Sequence, residues 1–361
     1  MSIPFEGNTN LRIGWVSTYN TQCGIAAYSK HLIDTFDQPI TILAANTNDK
    51  IVPDDKNISR CWNTGFDSFE NLASHIHRFD LNCVVIQYHY GLFNSQTLNN
   101  LINWLSTNNK KIILMIHSLG EKTNEIIHFA KLCNLVTVQT SFDHKKLSSL
   151  TNCIVFPLPI IQQEFEKTPK LDDSILVGSY GFFFPNKGIL ELIQAIKILR
   201  DEGHNYRLRL VNAKHPSDIS NNTVLQAKEL TSRLNLDNYV EFYIDFLSNS
   251  ASLNLLSSCD IIANSYQMTT EPTSASVRLS ISTGIPVVVT PNIIFDDISD
   301  IVFRMLDFDP VSIAAGIRNT ITEIKLSSDE YNKIMNQAAK WRIEHSYHMQ
   351  GPRLLNLLQD S

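Results

Sequence analysis

The sequence has no Cys-x-x-Cys pair, no Gly-x-Gly-x-x-Gly run, and no apolar stretch near the ~20 residues a membrane-spanning helix needs. Its six cysteines (Cys23, Cys61, Cys83, Cys133, Cys153, Cys259) are scattered. Without ligand spacing they do not suggest a zinc site and read as reduced, mostly buried thiols. The missing glycine fingerprint ranks a nicotinamide oxidoreductase last among the readings. Residues Met1 to Gly7 lack a basic segment followed by an apolar one, which predicts no secretory leader. A basic excess is absent too: 30 Lys+Arg stand against 36 Asp+Glu, a formal charge of −6, which excludes a general nucleic-acid binder. The charge is uneven. Residues 1–165 carry 12 basic and 13 acidic side chains and seven of the 11 histidines. That half has room for a negatively charged or membrane-bound partner without a polybasic run. The expected location is the cytoplasm, with peripheral contact at the inner membrane face as an option.

What is present is ordinary globular composition, 43% hydrophobic and 18% charged, over 361 residues. That length suggests two domains. Apolar, β-branched runs at 11–17, 40–43, 83–87, 112–116, 136–138 and 154–156 predict strands. Helical spacing separates them near 25–33, 68–79, 96–107, 121–132 and 141–149. Three prolines and mixed charge over 157–173 mark a linker. The alternation then restarts, with strands at 175–178, 208–211, 240–243 and 261–263 and helices at 188–201, 223–235 and 250–258. From about Val311 the tail reads as helix. The fold class is α/β, two Rossmann-like parallel-sheet domains facing across a cleft, in 1–160 and 161–340. No sequence repeat accompanies the repeated architecture.

Four stretches carry candidate chemistry. The segment from Glu271 to Pro291 reads as loop, helix and strand, with Glu271, Thr273, Ser274, Ala275 and Ser276 at the helix mouth. Free N–H groups and the positive end of the helix dipole make such a mouth an anion site. Proline at 272 disfavours helical geometry at Glu271, which leaves that carboxylate in the loop to accept from hydroxyls. Simple capping would explain the hydroxyls but not the glutamate. A second loop, Ser179 to Gly188, contains Gly181 and places Lys187 at a helix start, where a cation opposes the dipole unless it meets an anion. His215, after another strand, belongs to the same rim. In the first half, Gly24 follows Thr21 and Gln22 at a strand–helix turn, where the backbone turns tightly or approaches a ligand. His89, Tyr90 and His117 stand at strand ends, where parallel sheets bind ligands. An anion site beside a hydroxyl-reading carboxylate suits a diphosphate joined to a sugar. Asp307 and Asp309 have metal-ligand spacing but lie late in the chain, and read as structural.

These pieces, in this order, resemble a family 4 retaining glycosyltransferase with the two-Rossmann (B-type) fold. The carriers are Gly14-Trp-Val-Ser17 with Cys23-Gly-Ile-Ala26, Gln87 to Gly91, His117, Gly181 to Gly188, Ala213 to Pro216, Glu271 to Pro291, and Trp341, His345 and Arg353 near the end. The resemblance implies transfer of a sugar from a nucleotide diphosphate donor to a glycan or glycolipid acceptor, with no cofactor and no metal required. It implies that His117, Lys187 and Glu271 are catalytic. Gly24, Gly181, Lys187, His215, Glu271, Thr273, Ser274 and Ala275 would bind the donor, and Gln22, His89 and Tyr90 the acceptor. The helix in 341–361 would pack back on the N-terminal domain. The chain departs from the family pattern twice. Leu279 stands where a second glutamate contacts ribose, and Phe182 to Phe184 replace an arginine before the loop lysine. Those departures also fit a non-catalytic partner that keeps the fold and binds a glycan or another transferase.

Overall fold

Uninterrupted aliphatic runs form strands that are buried on both faces, as parallel sheets require. In the first part these are β1 (Ile13–Ser17), β2 (Ile40–Ala45), β4 (Cys83–His89), β5 (Lys111–Ser118) and β6 (Leu135–Val138), with β7 (Cys153–Val155), half-buried at two of its three residues, at one edge. An additional strand, β3 (Ile58–Trp62), is half-exposed over three of its residues, as expected at an edge. Connecting them are α1 (Gly24–Ile33), α2 (Glu70–Arg78), α3 (Ser95–Thr107), α4 (Thr123–Ala130) and α5 (Ser141–Lys146). The computed structural model describes residues 11–65, 68–120, 123–162, 173–269 and 271–361. The leaderless start expected at 1–7, and the linker from 163 to 172, lie outside the described residues.

Every pairing in the first sheet is parallel, and its order is β3-β2-β1-β4-β5-β6-β7. Strand order therefore reverses between β1 and β4, the switch point at which doubly wound sheets open a ligand crevice. The second part repeats the plan with β8 (Ile175–Phe182), β9 (Tyr206–Ala213), β10 (Val240–Tyr243), β11 (Ile261–Asn264), β12 (Val287–Val289) and β13 (Phe303–Arg304). Its order is β10-β9-β8-β11-β12-β13, again all parallel, with the switch between β8 and β11.

The helices of this part are α6 (Ile189–Asp201), α7 (Asp218–Arg233), α8 (Asn249–Ser257), α9 (Ala275–Ser282), α10 (Pro310–Leu326) and α11 (Asp329–Glu344). Leu192, Val224 and Ile317, from α6, α7 and α10, pack on one face of the sheet. Leu253, Val277 and Ala338, from α8, α9 and α11, pack on the other. The last helix, α12 (Tyr347–Asp360), follows.

By contact density the chain divides into two compact units, Met1–Pro157 with Gln350–Ser361, and Leu158–Met349. Most of α12 thus belongs to the first unit. There Gly351 lies so close to Thr35 that a Cβ would stand 1.7 Å from its hydroxyl, and Lys111 Nζ donates to the carbonyls of Leu358 and Gln359 at 3.2 Å. The cysteines are reduced thiols, all buried except half-buried Cys23. Burial pushes Cys61, Cys83 and Cys133 up to about 12, which makes them inert. No helix among the described residues is long and apolar enough to cross a membrane.

Candidate active site

The two loops that leave β8 and β11 meet at the switch point of the second sheet. After β8 the chain makes one 3-10 turn (Pro185–Lys187), and α6 begins only at Ile189. Lys187 therefore does not open that helix, as its sequence context suggested. It ends a separate turn, because Gly188 takes a left-handed φ of 65° and breaks the path. Ser265, just past β11, bonds this turn through its Oγ to the carbonyl of Gly188 at 2.8 Å. Gln267 N–H donates to the Asn186 carbonyl at 2.9 Å. Thr290 Oγ1 donates to the Tyr266 carbonyl at 2.6 Å, and Asn292 Nδ2 to that of Gln267 at 2.7 Å. The lysine loop and the glutamate loop are thus fastened to each other and to β12.

Tyr266 is fully buried between the two loops. Its ring centroid is 3.8 Å from Lys187 Nζ, a cation–π contact. Its hydroxyl is 2.9 Å from Ser274 Oγ. Burial alone would raise the phenol. The Lys187 charge and hydrogen bonds with Ser274, Ser276 and Lys187 outweigh burial and hold it below its ordinary value. Ser274 is the extended N-cap of α9 and accepts from Val277 N–H at 3.4 Å, as a capping serine does.

Lys187, Tyr266, Glu271, Thr273, Ser274 and Ala275 line one cavity of about 230 Å³. With Ser276, six of the residues singled out from sequence therefore come together, and Tyr266 joins them. Glu271 is half-buried, and its N–H donates to Thr269 Oγ1 at 3.3 Å. Ser276 borders both this cavity and a smaller one of about 50 Å³, which Gly181, Phe182 and Asp245 also line. Gly181 has φ 144°, and a Cβ there would stand 3.1 Å from Ser276 Oγ, so a side chain would crowd the passage. Phe182 stacks on Phe246 at 5.9 Å.

His215 lines neither cavity. Its ring packs against Phe182 at 5.4 Å and Phe184 at 5.2 Å, and its Nδ1 bonds to Ser217 Oγ. Arg278, on α9, is buried and pairs with Asp297, while its Nη1 reaches the Ser274 carbonyl at 3.4 Å. Leu279, where the family pattern has a carboxylate, is buried in the apolar layer under α9 and lines neither cavity. Asp309 is the N-cap of α10, accepting from Val311 and Ser312 N–H. Among the described residues no three His, Cys, Asp or Glu side chains are grouped as a metal site would need.

The first unit has its own strand-end group at the β1/β4 switch. Gly24 was expected where the backbone turns tightly or approaches a ligand; it starts α1 without a positive φ, so no tight turn requires it, and a Cβ would meet nothing within 4 Å. The left-handed residue of that loop is Asn20. Gln22 is exposed. His89 and Tyr90 stack at 4.4 Å, and His89 Nδ1 accepts from Gly91 N–H.

His117 is clamped by two amides. Its Nε2 bonds to Gln87 Oε1 at 2.7 Å and its Nδ1 to Gln139 Nε2 at 2.9 Å. The amide orientations assign the proton to Nε2. Tyr28 meets the ring edge-on at 4.8 Å. Burial, with a smaller push from His89, lowers the imidazole to about 3. It is neutral at pH 7, with both nitrogens engaged by the glutamines.

Sequence reasoning missed Tyr266, Asp245 and Gln139, and gave Gln87 no role. The strand-end rule that singled out His117 applies equally to Tyr266, two residues beyond β11.

Two all-parallel doubly wound sheets, one with a lysine and a helix N-terminus around a switch-point cavity, define the class of two-Rossmann glycosyltransferases. Residues 160–341, just over half of the chain, match the family described as glycosyl transferases group 1, and the chain belongs to that family. It is a glycosyltransferase. The structure is similar to a glycosyltransferase from Rickettsia africae ESF-5, with 14% identity, 98% of each chain covered and a TM-score of 0.78. It is similar to Anabaena Alr3699/HepE in complex with UDP, at 12% identity over 97% of this chain and 100% of that one, TM-score 0.74. A sucrose-phosphate synthase from Thermosynechococcus elongatus gives 12% identity, 97% and 98% coverage and a TM-score of 0.73. No curated protein matches the sequence.

Proposed function

We propose that the protein is a retaining hexosyltransferase that moves a sugar from a nucleoside diphosphate donor to a glycan or glycolipid acceptor, without a metal. The observation that carries this reading is the shared cavity of Lys187, the N-terminus of α9 and Glu271. The bond from the anomeric carbon to the diphosphate oxygen breaks, and the acceptor hydroxyl oxygen bonds to that carbon. The hydroxyl proton leaves with the diphosphate or to water. Negative charge grows on the leaving diphosphate, and fixed positive groups that meet it lower the barrier. Lys187 supplies the charge, the N–H groups of Ala275 and Ser276 the dipole. Glu271 accepts from the donor sugar's hydroxyls, flanked by Thr273.

The nucleoside lies toward the smaller pocket, past Gly181 and Ser276. There Asp245 supplies the carboxylate that Leu279 does not, and His215 supports Phe182. A uridine donor is favoured by analogy with Anabaena HepE, which is described in complexes with UDP and UDP-glucose. Gln22, His89 and Tyr90 take the acceptor, Gly24 serves the donor, and His117 acts as a neutral, fixed catalytic group. The reduced, mostly buried thiols suit a cytoplasmic location, consistent with peripheral work at the inner membrane face in polysaccharide biosynthesis.

Incubation with a panel of nucleoside diphosphate sugars, followed by calorimetry and donor turnover, tests this. Failure of every nucleoside diphosphate to bind at millimolar concentration would sink it. Lys187→Ala and Glu271→Ala, folded by circular dichroism, each cut turnover by ~100-fold, the scale for losing a charge partner of the transition state.

A further inference from the structure

Tyr266 touches both halves of the anion cradle at once. One face of its ring carries the Lys187 ammonium at 3.8 Å. Its hydroxyl meets Ser274 Oγ at 2.9 Å, and either oxygen could donate by distance alone. The direction decides where the Ser274 hydrogen goes. A serine hydroxyl has one hydrogen and two lone pairs. One lone pair already accepts from Val277 N–H in the cap of α9. If Tyr266 donates to the other, the single Ser274 hydrogen is turned away from both partners, toward the cavity that Ser274 lines. The nearby ammonium favours the phenol as donor, since it makes that O–H the more acidic of the two hydroxyls.

We propose that Tyr266 is the positioning residue of the site: its ring holds the Lys187 ammonium, and its hydroxyl donates to Ser274 so that the Ser274 O–H points at the bound anion. The inference rests on the reading of this cavity as a diphosphate site. It accounts for how the chain works with one loop cation. Phe182 to Phe184, at the place of the family's arginine, offer no charge, and Phe182 is stacked on Phe246. A lone lysine on a flexible stem loses more affinity from misplacement than one of a pair. Tyr266 fixes its ammonium and adds an aimed neutral donor beside it. A purely structural tyrosine would only fill space against Phe295, 5.2 Å away, and a phenylalanine would serve equally well.

The test is a double-mutant cycle on the full chain, read by calorimetric binding of inorganic pyrophosphate and of UDP. Tyr266→Phe keeps the ring under Lys187 and removes the donor. Ser274→Ala removes the aimed hydroxyl. Each weakens pyrophosphate binding about tenfold, the scale of one hydrogen bond to an anion, and the double variant is no weaker than either single. Tyr266→Leu, which frees the lysine as well, loses more than Tyr266→Phe. Wild-type affinity in Tyr266→Phe, or losses that add in the double variant, overturns the inference while leaving the diphosphate reading intact. A wild-type chain that binds neither pyrophosphate nor UDP overturns both.

Discussion

Gly188 packs so tightly on Ser265 that a Cβ at position 188 would stand 1.8 Å from the Ser265 carbonyl oxygen. Its φ of 65° is also one that L side chains seldom adopt. Gly188→Ala therefore combines backbone strain with a clash on rigid main chain, and costs at least ~2 kcal/mol in urea unfolding. The loop must also swing off β11 and take Lys187 with it. Nucleotide affinity falls even where the variant is fully folded, a point that calorimetry at low temperature would check.

Beneath α9, Arg278 and Asp297 form a pair in which the arginine side chain is 2% exposed. Removing Asp297 leaves the buried Arg278 charge with only the Ser274 carbonyl as a partner. Asp297→Ala is expected to destabilise by ~3–5 kcal/mol, whereas replacing both residues with apolar ones of similar volume costs much less. Chemical denaturation of the two variants decides it, and equal losses would contradict the pairing.

Where local pattern and tertiary demand coincide, the sequence is easily read. Cys83 to Ile86 and Ile112 to Ile116 are apolar throughout because β4 and β5 are covered on both faces. The edge strand β3, Ile-Ser-Arg-Cys-Trp, gives no such run and passes for loop, since a half-exposed strand needs only some of its side chains apolar. The two-residue β13 is too short to carry a pattern. In the site, Lys187, Glu271 and Ser274 are visible because each is odd for its local setting. Tyr266 and Asp297 are not odd locally. They matter only through partners 79 and 19 positions away, Lys187 and Arg278, and a one-dimensional reading does not show such pairs.

The clamped imidazole of His117 sets a pH dependence. Its folded value, about 3, lies below the ordinary 6.5, so between those values the unfolded chain binds a proton that the folded chain refuses. Stability therefore falls as pH falls through this window, by up to about 1.4 kcal/mol per unit for this one group. His117→Gln has no such proton to refuse. The difference between its urea midpoint and that of wild type should shift in its favour from pH 7 to pH 4. A constant difference would show that the ring is not buried neutral.

Asp245 separates the two pockets functionally. It lines the smaller one and is not among the residues lining the Lys187 cavity. Asp245→Asn is expected to weaken UDP about tenfold, as loss of a charged acceptor for ribose hydroxyls would, with pyrophosphate unaffected. Equal losses for both ligands would show that the carboxylate acts on the phosphates instead.

The first unit is built from two separated pieces of chain, Met1–Pro157 and Gln350–Ser361. Leu354 and Leu358 of α12 are completely buried in it. During synthesis at about 5–20 residues per second, the whole second unit must be made before those leucines exist. The nascent first sheet thus spends that interval, on the order of 10–40 s, with the α12 groove bare and apolar. A helix made after the second unit is what lets the unit made before it finish folding.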